Sequence, residues 1–281
     1  MTGLLLVDKP AGPSSFGVLR QLRPVLGRKL GHAGTLDPFA TGLLLVVAGR
    51  ATRLATYLSG LDKGYTAVVQ FGVESTTLDP EGELTPSGQT TDAAVVTKAA
   101  LPLVGEIEQA VPAASAVKVD GERAYARMRR GEAVAPPARR VTIHELTVDA
   151  FDAATQRAAI TVRCSKGTYI RQIAADLGTA TGAGAYCVEL RRTDVGRFSV
   201  DDAGTPDAIA ADPLGRWYRS ASEALPHLPA RSLDEAEQRD IAHGRALARL
   251  GEEGVTRLLA DGELRAVAEP RGDRLQPVVV L

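Results

Sequence analysis

Apolar residues occur in short bursts throughout this chain, and the longest unbroken one, Leu43 to Ala48, holds six residues. A run of that length suits a strand buried on both faces or a buried helical turn, and it falls far short of the roughly 18 residues that read as a membrane span. Leu4 to Val7, Tyr65 to Phe71, Val141 to Phe151, Arg157 to Arg163 and Ala185 to Arg191 read as further strands, with a shorter one from Arg197 to Val200. Helical spacing joins only some of them. It predicts helices after a Ser14 or Ser15 cap as far as Leu26, with Pro24 limiting or kinking the first, then over Ala51 to Leu58, from an Asp92 cap to Leu101, between Gly121 and Gly131, and over Tyr169 to Thr179. Strands and helices mix without strict alternation, which predicts an α+β fold with a mixed, largely antiparallel sheet and argues against a doubly wound βαβ fold. Pro226 and Pro229 interrupt the pattern in ALPHLPARSL. We therefore expect domains at 1–228 and 229–281, the second a small β-rich unit of short strands and turns.

Charge narrows the chemistry. The 33 basic and 34 acidic residues leave a net charge of −1, which by itself argues mildly against a nucleic-acid partner. By segment the picture changes: residues 1–60 carry 7 basic against 2 acidic groups, 61–110 carry 2 against 8, 111–200 carry 14 against 9, and 201–281 carry 10 against 15. A fold that joined the two basic blocks would have a positive face. The acidic stretch Glu74 to Gln89 reads as a solvated surface loop. Cys164 and Cys187 have no CxxC pattern and no histidine at ligand spacing, so two buried thiols are expected, with neither a disulfide framework nor a metal site. Nucleotide-binding GxxxxGK[ST], zincin HExxH and hydrolase GxSxG motifs are absent from the sequence, and Gly182 and Gly184 read as a helix end. The N-terminus lacks a basic region followed by a long apolar run, so a cytoplasmic chain without a membrane anchor is expected.

The densest stretch is GHAGTLDPFATG at 31–42, which sets the carboxylate of Asp37 among glycines and before a proline. Local chemistry fits an Asx-type turn there as well as a reactive group. This string closely resembles the signature of the TruB family of tRNA pseudouridine synthases. LLLVDKPAGPSS at 4–15, DKGY at 62–65, SAVKVDGERAY at 115–125, CSKGTYIRQIAADLG at 164–178 and VELRRTDVGRF at 188–198 resemble its other blocks, in the family's order.

The resemblance implies a pseudouridine synthase catalytic domain followed by a small PUA-like RNA-binding domain. It implies isomerisation of the uridine at position 55 in the T loop of tRNA, by breaking the N-glycosidic bond and rejoining the base through C5. Such a reaction calls for no cofactor and no metal, and the partner it implies is the T arm of tRNA, bound by a monomer. Asp37 is then the nucleophile; attack on the sugar and attack on the uracil ring both remain open. Arg171 is the residue that pairs with Asp37, expected as a bidentate partner. Tyr65 stacks on the target base and is a candidate for handling the C5 proton, while Tyr169 and Leu190 form pocket walls. Turning the base out of its stack costs a few kcal/mol, and by resemblance His32, on a flexible basic loop, fills the gap. Arg20, Arg23, Arg28, Lys29, Arg123, Arg127, Arg129 and Arg130 are candidate phosphate contacts. Ala33 and Ala114 depart from the residues common in the family, and the tail is acidic and has no aromatic residue after Tyr218. The alternative is a tRNA-binding folding chaperone in which catalysis is secondary or lost.

Overall fold

The computed structural model describes all residues except 116, 120 and 133, together with the backbone but not the side chain of Arg129. The unbroken apolar runs lie where both faces of one sheet are covered. Gly3–Lys9 and Thr41–Ala48 pair antiparallel, with Leu4 opposite Val47 and Leu6 opposite Leu45. Alternate side chains enter different cores, because successive residues of a strand point to opposite faces. Leu5, Val7, Leu44 and Val46 pack with Val18, Leu19 and Leu22 of the helix Ser15–Leu26. Leu4, Leu6, Leu43, Leu45 and Val47 pack on the other face against Ala51, Leu54 and Leu58. Ser14 caps the first helix by accepting from the Gly17 N–H, and the helix continues past Pro24 to Leu26.

The large sheet has ten strands. From one edge the order is Tyr218–Arg219, Gly3–Lys9, Thr41–Ala48, Ala185–Val195, Lys63–Phe71, Arg157–Cys164, Arg139–Asp152 and Gly105–Gln109, with Leu30–Ala33 and Phe198–Ser199 as side pairings. Every pairing is antiparallel except that of Thr41–Ala48 with Ala185–Val195, where Arg191 meets Thr41 and Arg192 meets Gly42. Gly42 has φ +99°, and a Cβ there would collide with the Arg192 carbonyl oxygen, so glycine lets the two backbones close at this seam. The helix Ile170–Thr181 covers the sheet with Ile170, Ile173, Ala174 and Leu177 and ends at Gly182. The expected α+β class and mixed sheet are observed. Among the described residues no helix is long and apolar enough to cross a membrane.

The C-terminal part forms a second, five-stranded sheet in the order Ala230–Ser232, Thr256–Ala260, Glu263–Arg271, Arg274–Val280, Leu247–Ala248. Its core is Leu233, Ile241, Leu247, Leu258, Ala266, Ala268 and Leu275. Leu264, Val267 and Val279 join the second core of the large sheet, so the two parts share a continuous apolar contact. The expectation of strands and turns alone needs correcting. Glu235–Ala242 is an α-helix closed by an Asp234/Glu237 capping box, and its polar sequence buries only Ile241, too little to leave a periodic apolar signal.

Candidate active site

Asp37 sits in the link between the paired strands Leu30–Ala33 and Thr41–Ala48. Several buried groups hold this link. Ser15 Oγ accepts from the Leu36 N–H at 2.8 Å and donates to the Leu36 carbonyl at 3.0 Å. Lys9, fully buried, donates to the carbonyls of Pro10, Pro38 and Ala40 at 2.9, 3.1 and 2.7 Å. Burial pushes its ammonium down to about 8, against the pull of the Asp37 charge. Arg192 spans the ends of the link, donating from Nη2 to the Gly34 carbonyl at 3.0 Å and from Nε to the Leu43 carbonyl at 2.7 Å.

The link forms one wall of an open cleft of about 360 Å³. Asp37, Tyr65, Tyr169, Arg171 and Leu190 all line it, so five of the six residues singled out from the sequence converge. Lys63, Ser115 and Arg192 share the lining. Tyr169 is fixed through Gln109, whose amide accepts from the Tyr169 N–H at 2.8 Å and donates to its carbonyl at 3.0 Å. The Arg139 guanidinium lies 5.3 Å from the centroid of the Tyr169 ring.

Arg171, 2% exposed, places Nε 3.0 Å from Asp37 Oδ2, but off the line of a hydrogen bond. The expected bidentate pairing is not formed. Nη1 donates to Asp79 Oδ2 at 2.7 Å and to the Thr77 carbonyl at 2.8 Å, and Nη2 donates to the Ala114 carbonyl at 3.0 Å. With the fork occupied elsewhere, the Asp37 side chain, 34% exposed, faces the cleft with its oxygens uncommitted. Burial raises the Asp37 carboxyl above its usual range; the charges of Arg171 and Lys9 oppose this and that of Asp79 adds to it.

Most of residues 74–89 are exposed, as expected of a solvated segment, but Ser75 and Asp79 are buried. Val73–Ser75 and Leu84–Pro86 pair there as a hairpin, and the Asp79 side chain is 5% exposed against Arg171. One signal could have located it: the tetrapeptide TLDP occurs at both 35–38 and 77–80, and the two aspartates meet on one guanidinium.

His32 does not line the cleft and does not sit on a flexible loop. It lies on a strand opposite Val46, half-buried, with Nδ1 buried and without a hydrogen-bond partner. The GRKLGHAG segment becomes ordered because Leu30–Ala33 adds to the edge of Thr41–Ala48. Burial, aided by the Arg192 charge, pushes the His32 imidazole below its usual value, so it is neutral at physiological pH. Among the basic candidates, Arg23 places its guanidinium 5.6 Å from the centroid of the Phe16 ring. Arg127 pairs with Glu132, and Arg130 with Glu122 and Glu132. The Arg129 side chain, and residues 116 and 120 of the SAVKVDGERAY block, lie outside the described residues.

Known proteins resemble this chain in sequence and in fold. Residues 23–170 match the model of the TruB family pseudouridylate synthase N-terminal domain, and residues 228–281 match that of the tRNA pseudouridine synthase II C-terminal domain. The tRNA pseudouridine synthase B of Thermobifida fusca (strain YX) is 44% identical, the alignment covering 99% of this chain and 98% of that protein. Its counterpart in Arthrobacter sp. (strain FB24) is 41% identical over 100% of this chain and 96% of that protein. The fold also superposes on a chain of a solved Cbf5–Nop10–Gar1 complex with a TM-score of 0.77 at 23% identity, covering 99% of this chain and 84% of that one. With the sequence blocks, the cleft and these relatives in agreement, the chain belongs to the TruB family of pseudouridylate synthases.

Proposed function

We propose that the chain isomerises uridine 55 in the T loop of tRNA to pseudouridine. The observation that carries this reading is the Asp37 carboxylate, turned into the cleft beside Arg171 with Tyr65 and Leu190 also lining it. A carboxylate with free lone pairs is a competent nucleophile without an activating base. Arg171 and Lys9 favour its ionised form against the cost of burial. Its attack, on the sugar or on the ring, separates N1 from C1′. The base then turns so that C5 meets C1′, the new carbon–carbon bond forms, and a net proton passes from C5 to N1. Tyr65 stacks on the ring and takes the C5 proton, Leu190 and Tyr169 confine the ring, and neutral His32 enters the stack that the flipped nucleotide leaves.

Residues 1–228 act as the catalytic domain and 229–281 as a PUA-like accessory RNA-binding domain. The N-terminal basic residues, led by Arg20, Arg28 and Lys29, meet phosphates, so affinity falls as salt rises. The test is tritium release from a tRNA transcript labelled at C5 of uridine, in chelator, for the native chain and for Asp37→Asn. Release by the native chain alone, with comparable transcript binding by both, is the expected result. Binding without release by the native chain would overturn the proposal in favour of an RNA-binding chaperone.

A further inference from the structure

Arg191 and Arg192 are consecutive on one strand and therefore point to opposite faces of the sheet. Arg191 is half-exposed and spends its fork on Asp8, with Nη1–Oδ1 at 3.0 Å and Nη2–Oδ2 at 2.9 Å. Arg192 is 1% exposed and, among the described residues, pairs with no carboxylate. Burying a guanidinium without a counter-ion costs several kcal/mol, so a lone buried cation calls for an explanation.

Its surroundings supply one. The two carbonyls it binds, of Gly34 and Leu43, bracket the segment that carries Asp37. Lys9 and Ser15 grip the interior of that segment, while Arg192 joins its two ends through a side chain, next to the backbone pairing of Ala33 with Leu45. Arg192 is also the register partner of Tyr65 on the adjacent antiparallel strand, and both line the cleft. We propose that Arg192 is the positioning residue of this site, clamping both ends of the Asp37 segment and holding a positive charge against the Tyr65 phenol while that oxygen takes the C5 proton.

The proposal deepens the function above and rests on Tyr65 as the proton acceptor. Burial raises the Tyr65 phenol, and the Arg192 charge is the strongest influence pulling it back. The other titratable groups around it are Cys164, Asp37 and, two residues away on the same strand face, Lys63, which burial and the Arg192 charge lower to about 8. Burial keeps the Cys164 thiol at about 11, so at neutral pH it adds no charge. Two backbone carbonyls orient the guanidinium without neutralising it, which leaves its charge available to a phenolate. No external reagent is needed: the Tyr65 phenolate takes the C5 proton and becomes a phenol, that proton passes on to N1, and the phenolate is regenerated.

The test compares Arg192→Gln, which keeps a donor without the charge, with Arg192→Lys, which keeps the charge without the fork. Single-turnover C5 proton release is followed across pH for these variants, Tyr65→Phe and the native chain, with tRNA binding measured in parallel. For Arg192→Gln we expect a loss on the order of 100-fold near neutral pH, a rising limb displaced about 1–3 pH units upward, and nearly native binding. For Arg192→Lys we expect a reduced rate with the limb where the native chain has it. Should Arg192→Gln not fold, Arg192→Met takes its place as the variant without the charge: a limb displaced upward supports the proposal and an unmoved limb overturns it. Equal losses in both variants with neither limb moved would reduce Arg192 to a packing residue and overturn it. Tyr65→Phe releasing the proton at the native rate would sink the assignment of Tyr65 itself, whereas a slow Tyr65→Phe beside a native-like Arg192→Gln would sink only the role of Arg192.

Discussion

Among the described residues, two arginines with largely buried side chains each stand between two carboxylates. Arg171 in the cleft lies between Asp37 and Asp79, and Arg231 in the C-terminal part lies between Glu237 and Glu252. In the second trio every carboxylate oxygen has a partner. Arg231 donates to Glu252 Oε1 at 2.8 Å and to Glu237 Oε1, the Leu250 N–H donates to Glu252 Oε2 at 2.6 Å, and the Asp234 N–H donates to Glu237 Oε2 at 3.2 Å. Burial would raise Glu252, but bonds from Arg231 and backbone N–H groups outweigh it and hold the carboxyl below its usual range. In the first trio both Asp79 oxygens have partners, in Arg171, the Thr77 hydroxyl and the Glu81 N–H, while Asp37 accepts no well-aligned bond among the described residues and its carboxyl is raised, chiefly by burial. A saturated trio stabilises structure; a trio left one acceptor short keeps a carboxylate ready for substrate.

Replacing the two arginines gives the sharpest contrast. Arg171→Met leaves Asp79 buried without its cation, so urea unfolding should show a loss of about 3–5 kcal/mol, and single-turnover release should fall at least roughly 100-fold. Arg231→Met should cost about 1–3 kcal/mol and leave the single-turnover rate within about twofold at saturating enzyme, since nothing from that trio lines the cleft. A large loss of catalytic rate in Arg231→Met would break the division. A subtler reversal is expected between carboxylates. Because burial disfavours the Asp37 charge, Asp37→Asn should raise the thermal midpoint at neutral pH while abolishing turnover, whereas Glu252→Gln should lower the midpoint and spare turnover.

The smallest expected effect separates the trios by pH. Asp37 acts ionised and is raised above 3.8, so turnover should fade as pH drops through a value above that. Glu252 is lowered below 4.5, so the stability it supplies is complete above 4.5 and is lost only as pH falls through its lower folded value. Activity and the C-terminal sheet should therefore titrate with different carboxyls, as followed by release assays and circular dichroism on the same samples. Coincident transitions would show that acid inactivation is unfolding.

Much of this was legible in the chain. Most strands were, because runs rich in β-branched and aromatic residues such as Tyr65 to Phe71 suit a sheet, although LLLVVA fitted a buried helical turn as well, and Asp37, Tyr65 and Arg171 were, because they stand inside whole blocks that resemble one family. Three features were hidden for physical reasons. Leu30–Ala33 is a strand through its partner and has little intrinsic β character. The helix Glu235–Ala242 rests on its capping box and presents one buried side chain, so periodicity passes over it. Asp79 and Arg192 acquire their importance from contacts across 92 and 149 positions, and no local pattern records which charge will be left over when such partners are assigned.

The parallel seam of the large sheet also governs when the cleft can be completed. Asp37 comes from the first part of the chain, whereas Arg171, Leu190 and Arg192 come from the far side of the seam, and Arg192 reaches the Leu43 carbonyl across 149 positions. Contacts of such separation form late, after the entropy of closing the intervening chain has been overcome. During synthesis the N-terminal strands can pair while the rest is still being made. The reactive carboxylate then stands beside an unfinished sheet, without its guanidinium or its far wall. A growing chain that ends before Arg192 carries Asp37 without the groups that flank it in the cleft, so on the proposed mechanism the site is assembled only once the chain past Arg192 has folded.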